Sequence, residues 1–303
     1  MIDFHKPELS NADAYNAFLM HCGERGCEYS LVNLYLWGHQ KVAFLHGCLV
    51  FFSQYEQRSI YPFPIGNGDL HAALESILQD ARERGIQCRL TSMTAADCAI
   101  LEELYPGKFR YHPDRTYSDY IYNIENLANL PGRKYQRKRN HLNRFRQNHP
   151  DCQMVCIDKA LFPQVQEMLS AWYESRQDAE TPDEFHMEQV ALRRAFENWD
   201  ALGLEGVVLM ENGSILALAI GSLLSEYTFD VHFEKALDIY DGAYAAINQA
   251  FAAHLHSKYD FLRWLNREDD MGLPGLRKAK LSYCPDRLQV KFWAHLWEDD
   301  DEH

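Results

Sequence analysis

Two rhythms of apolar and polar positions run along this chain, and the switches between them mark out its elements. Short apolar runs at residues 41–46 and 48–54 flank Gly47, the pattern of two strands joined by a tight turn. From Asp69 onward the period lengthens. Leu70, Ala73, Leu74, Ile77 and Leu78 recur at helical spacing, and Asp69 stands where a cap belongs. An amphipathic run over 13–21 follows Ser10 and Asn11 in the same way. Residues 61–65 read as extended, closed by Gly66-Asn67-Gly68. Residues 86–91 read as a strand, 94–104 as a helix stopped by Pro106-Gly107, and 117–123 as a further strand.

The second half repeats that style more clearly. Residues 152–157 predict a strand, and 162–176 and 182–202 two helices. Strands at 204–211 and 214–224 meet at Asn212-Gly213, a pair that accepts the positive φ of a hairpin turn. A third strand over 227–233 is followed by a helix (244–256), a strand (261–266), a helix (276–283) and a last strand (288–297). This is an α/β order with a mixed sheet. The first half offers a rougher version of the same order. Two domains are expected, 1–130 and 151–303, with 131–150 between them.

Length and composition agree with that division. A chain of 303 residues is long for one core, and 47% apolar with 24% charged residues is the balance of a folded protein. Net charge changes the picture more. The formal charge is −14, yet the segment from Gly132 to Pro150, GRKYQRKRNHLNRFRQNHP, carries seven Lys/Arg residues and no carboxylate. Read as a helix bridging the halves, it has one apolar stripe in Tyr135, Leu142 and Phe145. Arg133, Lys134, Arg137, Lys138 and Arg139 are then candidates to bind a polyanion such as the acceptor arm of a tRNA. The alternative is an interdomain strut held by acidic neighbours. The terminal WEDDDEH reads as a solvated tail.

Eight cysteines are scattered without a CxxC pair, and Cys152 and Cys156 have no second pair at zinc spacing. No metal site is expected on that basis. The first residues lack a signal-peptide pattern, and no run approaches the roughly 20 apolar residues of a membrane helix. Reduced thiols in a cytoplasmic protein without a transmembrane segment are the simplest expectation. Neither GxxxxGK[ST], GxGxxG after a strand, GxSxG nor HExxH occurs. His232-Phe233-Glu234 has the form HxE, but no PCxxC accompanies it.

Several residues remain as candidates for chemistry. Arg277 and Lys280, three apart on a helix, share a face able to hold a phosphate or carboxylate, or to offset an oxyanion; a solvated helix face is the alternative. Asp230 lies in an apolar strand, where alternation puts it on one side with His232 and Glu234, a side that suits a cleft better than a core. Tyr240, Asp241, Gly242, Ala243 and Tyr244 open a helix, where free N–H groups favour phosphate. Asn266, Arg267 and Glu268 end a strand, where α/β folds commonly bind substrate. Asp269 and Asp270 follow and read as a polar loop.

Four segments carry a resemblance: GRKYQRKRNHLNRF, YTFDVHFEKA (227–236), DGAYAAINQA (241–250) and NREDDMGLPGLRKAKLSYCP (266–285). In this order and spacing the chain resembles, over residues 20–297, the C-terminal domain of bacterial phosphatidylglycerol lysyltransferases. The resemblance implies an α/β fold of two tandem GNAT-like domains with mixed, mostly antiparallel sheets, as in Fem-type aminoacyltransferases. It implies a donor cleft between strands 227–233 and 261–266. Arg277, Lys280 and Tyr283-Cys284-Pro285 match the family's ending, and Asp230 matches its acidic strand residue; these become the catalytic candidates, with the two cations facing Asp230 across the donor carbonyl. The donor implied is aminoacyl-tRNA, with an unknown small-molecule, peptide or lipid acceptor. Acyl-CoA is the alternative donor, although Ile239 and Tyr244 depart from the GNAT pyrophosphate loop. A binding module that has lost its chemistry is the third reading.

Overall fold

The computed structural model describes residues 1–20, 25–55, 58–176 and 182–297. It divides into two compact units, Met1–Asp119 with Gln289–His303, and Tyr120–Leu288. The chain therefore leaves the first unit at Asp119 and returns to it at Gln289.

In the first unit, α1 (Ala12–Leu19) and α2 (Leu31–Trp37) precede the hairpin of β1 (Gln40–Leu45) and β2 (Cys48–Tyr55). The turn between them has φ of 52° at His46 and 75° at Gly47, the double positive φ that matches strand twist. Then come β3 (Arg58–Pro62), β4 (Ile65–Gly66), α3 (Leu70–Arg84), β5 (Arg89–Met93), α4 (Ala95–Leu104) and β6 (Phe109–Asn123). Asp69 caps α3 by accepting from the Ala72 N–H at 2.9 Å, and Thr94 with Asp97 forms a capping box on α4. The helix expected at 13–21 ends within the described residues at Leu19; residue 21 lies outside them. α2 was not legible because its residues are apolar on nearly every side, which gives no period to read.

The second unit begins in β6 at Tyr120. It continues through α5 (Ile124–Asn129), α6 (Gln136–Asn148), β7 (Gln153–Cys156), α7 (Phe162–Glu174), α8 (Pro182–Glu197), β8 (Glu205–Glu211), β9 (Ser214–Leu223), β10 (Thr228–Ala236), α9 (Ala243–Lys258), β11 (Trp264–Asn266) and α10 (Pro274–Leu281). Its strands lie in the order β6-β11-β10-β9-β8-β7. Every neighbouring pair is antiparallel except β10 and β11. Ile247, Phe251, Ala252 and Leu255 of α9 pack into one core with Val207, Leu209, Leu216 and Phe229 of the sheet.

Two boundaries differ from the sequence reading. The basic segment is helical from Gln136 to Asn148, but it does not stand between domains. It belongs to the second unit, where Tyr135, Leu142 and Phe145 are buried in the core around α9. The last strand, β12 (Arg287–Leu296), pairs with β5 from Phe292 onward, so its end belongs to the first unit, where Ala294 is buried. A strand's partner is a tertiary choice that alternation cannot report. The acidic tail at 298–303 lies outside the described residues.

Candidate functional site

The parallel pair β10–β11 is short. Thr228, Phe229 and Asp230 oppose Trp264, Leu265 and Asn266, after which β11 ends while β10 continues along β9 to Ala236. The sheet thus parts after Asp230 and Asn266, between the two strands expected to hold the cleft.

A β-bulge decides which side chains face each way. The β10–β9 register shifts between Val231 and Phe233. Before it, Phe229 and Val231 join the α9 core, so Asp230 and His232 point to the opposite face. After it, Ala236 is in that core and Glu234 accepts from Asn248 Nδ2 of α9 at 3.0 Å. The extra residue has flipped the alternation. The expectation that Asp230, His232 and Glu234 share one face is therefore corrected: Glu234 is on the α9 side.

On that side Glu234 meets Arg267, the first residue past β11, at 2.7 Å. The Arg267 guanidinium lies 4.7 Å from the Tyr283 ring centre and 5.5 Å from that of Tyr122. Burial is the largest influence and opposes its charge, but Glu234 together with Tyr122 and Tyr283 more than offsets it, and the pKa is raised. Lys138 of α6 reaches the same place, with Nζ 3.5 Å from the Tyr283 ring centre. Desolvation, followed by repulsion from Arg267, brings the Lys138 pKa down to about 8. Both Glu234 oxygens are already engaged, one by Arg267 and one by Asn248. The group is a largely buried cluster of two cationic side chains and one carboxylate around the Tyr283 ring, called the recess below.

The rest of the basic segment divides by role. Arg133, Lys134 and Arg137 are exposed. Arg139 is not available to a polyanion as expected, because its guanidinium donates to the Leu130 and Gly132 carbonyls and to Gln136 Oε1, which pins the start of α6. Arg144 pairs with Asp241 at 2.6 Å.

The helix opening at 240–244 also differs from its expected use as a phosphate loop. Gly242 has φ of 86°, and a Cβ there would sit 2.4 Å from the His141 carbonyl oxygen. Glycine is required for α6 to press on this turn, not for a ligand to approach. Ala243 is buried, Tyr240 packs against the core, and the Tyr244 hydroxyl accepts from Trp172 Nε1 at 3.2 Å. All five residues are engaged with protein.

Arg277 and Lys280 do share α10, but their charged ends do not converge on Asp230. Arg277 clasps Asp270 with two hydrogen bonds of 2.8 Å. Tyr120 donates to the same carboxylate, which is fully buried. Lys280 is buried, with its ammonium on the carbonyls of Arg267 and Asp269 and its own carbonyl accepting from the Tyr122 hydroxyl at 2.8 Å. Both cations lock the 267–273 turn onto α10. They shape the loop that presents Arg267, and so act on the recess through position. Asp270, read as loop polarity, is the buried anchor of this lock. Its signal was the seven-residue spacing to Arg277, which is invisible until the turn is known.

On the other face, His232 Nε2 lies 2.8 Å from Ser222 Oγ, and His232 Nδ1 is 3.3 Å from Glu268 and 3.6 Å from Asp230. Asp230 and Asn266 are fully buried, and Asn266 Oδ1 accepts the Glu268 N–H at 2.7 Å. Ser222 was missed because it comes from β9; Glu268, read with Asn266 and Arg267 at the strand end, lies in the turn after β11. Asp230, His232 and Glu268 bring three potential metal-ligand atoms together.

Residues 21–295 match the family described as phosphatidylglycerol lysyltransferase, C-terminal. The chain belongs to this family. A conserved protein of unknown function from Bacteroides thetaiotaomicron is 36% identical and superposes with a TM-score of 0.91 over 98% of this chain and all of that one. L-PGS from Bacillus licheniformis is 14% identical, with a TM-score of 0.68 over 98% of this chain and 94% of that one. FemX is 10% identical, with a TM-score of 0.54 over 98% of both chains. An uncharacterized protein of Mycoplasmoides gallisepticum (strain R(low / passage 15 / clone 2)) is 26% identical over 177 residues, 58% of this chain and 55% of that protein, so the match spans about half the relative's length. The fold class expected from the sequence, a mixed α/β architecture, is thus shared with the lysyltransferase C-terminal family and with FemX. In this member, no helix among the described residues is long and apolar enough to cross a membrane.

Proposed function

We propose that this chain is an aminoacyltransferase that moves an aminoacyl group from aminoacyl-tRNA to a nucleophilic acceptor, with the recess of Lys138, Arg267, Glu234 and Tyr283 as the reaction site. One observation carries the reading. A single helix, α6, bears exposed Arg137 beside Lys138, whose amine stands over the Tyr283 ring that Arg267, the first residue past β11, also faces. Arg133 and Lys134 lie in the turn just before it. A polyanion on the exposed cations would bring its terminal ester toward that amine and the Arg267 guanidinium, which favour phosphate and developing oxyanion charge. Glu234, held by Arg267 and Asn248, would keep the Arg267 guanidinium in place beside that ester. The acceptor attacks the ester carbonyl, the ribose oxygen leaves, and the acceptor's proton passes to it.

Acyl-CoA is the weaker alternative as donor, because the 240–244 turn is packed beneath α6. Support for the RNA reading comes also from the family description, which names a lysyltransferase. The test is competition binding at several salt concentrations with total aminoacyl-tRNA, deacylated tRNA and acetyl-CoA. Aminoacyl-tRNA should bind best, and the triple variant Arg133→Ala, Lys134→Ala, Arg137→Ala should bind it more weakly with a salt slope shallower by about 3. Saturable binding of acetyl-CoA with no RNA binding would replace this reading with the CoA one.

A further inference from the structure

The recess lies on the α9 side of β10, and the group of side chains on its opposite face is not used by the transfer reaction. We propose that Asp230, His232 and Glu268 form a binding site for one divalent transition-metal ion of the zinc class. Asp230 and His232 come from the stretch of β10 before the bulge, and Glu268 from the turn after β11, so the parting of the two strands brings the donors together. One carboxylate oxygen of each acid and a ring nitrogen of His232 all lie within 4.8 Å of one another.

The separations are those of ligand atoms around a shared ion, although the His232–Glu268 contact is also within reach of a long hydrogen bond. His232 Nδ1 is 3.3 Å from Glu268 Oε1 and 3.6 Å from Asp230 Oδ2. A charge-assisted N–H···O bond is shorter, about 2.7–2.9 Å. Tetrahedral coordination with bonds of about 2.0–2.1 Å puts neighbouring ligand atoms about 3.4 Å apart. The far nitrogen of the ring also has the partner a ligating histidine needs. With Nε2–H donating to Ser222 Oγ at 2.8 Å, the Nδ1 lone pair faces the two carboxylates. Ser222 opposes Asp230 in the β9–β10 register, so this support is built into the sheet.

Burial and donor type narrow the ion. The side chains of Asp230 and His232 are fully buried and that of Glu268 is 20% exposed, which leaves the fourth position on the Glu268 side. One imidazole and two carboxylates suit Zn²⁺ or Mn²⁺ and not Cu(I).

The experiment uses the full chain, stripped with EDTA and titrated with ZnCl₂, followed by native mass spectrometry, calorimetry and thermal denaturation. The expected result is one tightly bound zinc per chain and a melting temperature that rises with zinc concentration. Glu268→Gln, at the partly exposed ligand, should keep the fold and weaken zinc at least tenfold, and anomalous scattering at the zinc edge should peak among the three side chains. Zinc bound no more tightly by the native chain than by Glu268→Gln, or a melting temperature indifferent to zinc, overturns the proposal and leaves the three side chains as a hydrogen-bonded group. Because the readout is metal binding, failure here leaves the transferase reading untouched, and failure of that reading leaves this site standing.

Discussion

Lys138 and Arg267 show how two cations become neighbours. Each is drawn to the Tyr283 ring, and Glu234 neutralises only one of them. The Lys138 pKa of about 8 has two consequences of definite sign. Its folded-state pKa lies below the ordinary lysine value, so between pH 8 and 10.5 the unfolded chain binds more protons. Stability contributed by this group therefore rises with pH across that window and is lost below it. Binding of a phosphate diester runs the other way, weakening as pH rises through about 8. Amine-labelling rates resolved by peptide and followed against pH should show Lys138 titrating near 8, a step absent from Lys138→Met; titration of Lys138 near 10.5 would remove it from the recess. At Arg267 the expected cost is structural as well. Arg267→Ala leaves the largely buried Glu234 without its cation, with only Asn248 bonded to it, and should destabilise the chain by about 2–4 kcal/mol, read by chemical denaturation. A change under 1 kcal/mol would mean the pair is solvated.

At the scale of elements, hairpins and caps were legible in the sequence because they depend on local chemistry. Asn212-Gly213 and the Asp69 cap are formed as read, and the α6 apolar stripe of Tyr135, Leu142 and Phe145 is buried. The candidate residues on β10 and α10 were legible as positions but not as directions. One bulge after Val231 reversed the facing of Glu234, and no pattern of residue types announces a bulge. Lys280 and Arg277 were legible as a pair on α10, whereas their partners, two carbonyls and Asp270, come from a turn whose path depends on the rest of the fold. Gly242 was read for the right conformational freedom and the wrong neighbour. Its α6 contact makes a sharp prediction. Gly242→Ala forces a Cβ to 2.4 Å from the His141 carbonyl and should cost about 2 kcal/mol in a thermal melt. Gly275→Ala in α10 meets nothing within 4 Å and should be tolerated. Equal melting of the two variants would show that α6 does not press on the turn.

For the whole molecule, the return of the chain to its first unit is the feature sequence could not supply. Residues 292–295 of β12 pair with β5, and Ala294 is fully buried in the core of the first unit. A chain ending at Leu288 therefore lacks part of that core. It should lose the cooperative unfolding of the first unit and gain protease cleavage within residues 1–119, while Asn212-Gly213 and its surroundings stay protected. Protection of both regions in the truncated chain would show that β12 is dispensable.

The central claim, that the second unit moves aminoacyl groups from RNA, is tested most directly by following the label on charged tRNA. Total tRNA carrying radiolabelled amino acids is incubated with the native chain and with Lys138→Met, in the presence of mixed lipid and small-molecule acceptors, and products are separated from RNA. The expected result is labelled product from the native chain, with transfer at least tenfold slower for Lys138→Met at pH 7. Label that remains on the tRNA, while labelled acetyl-CoA is consumed under the same conditions, would contradict the claim.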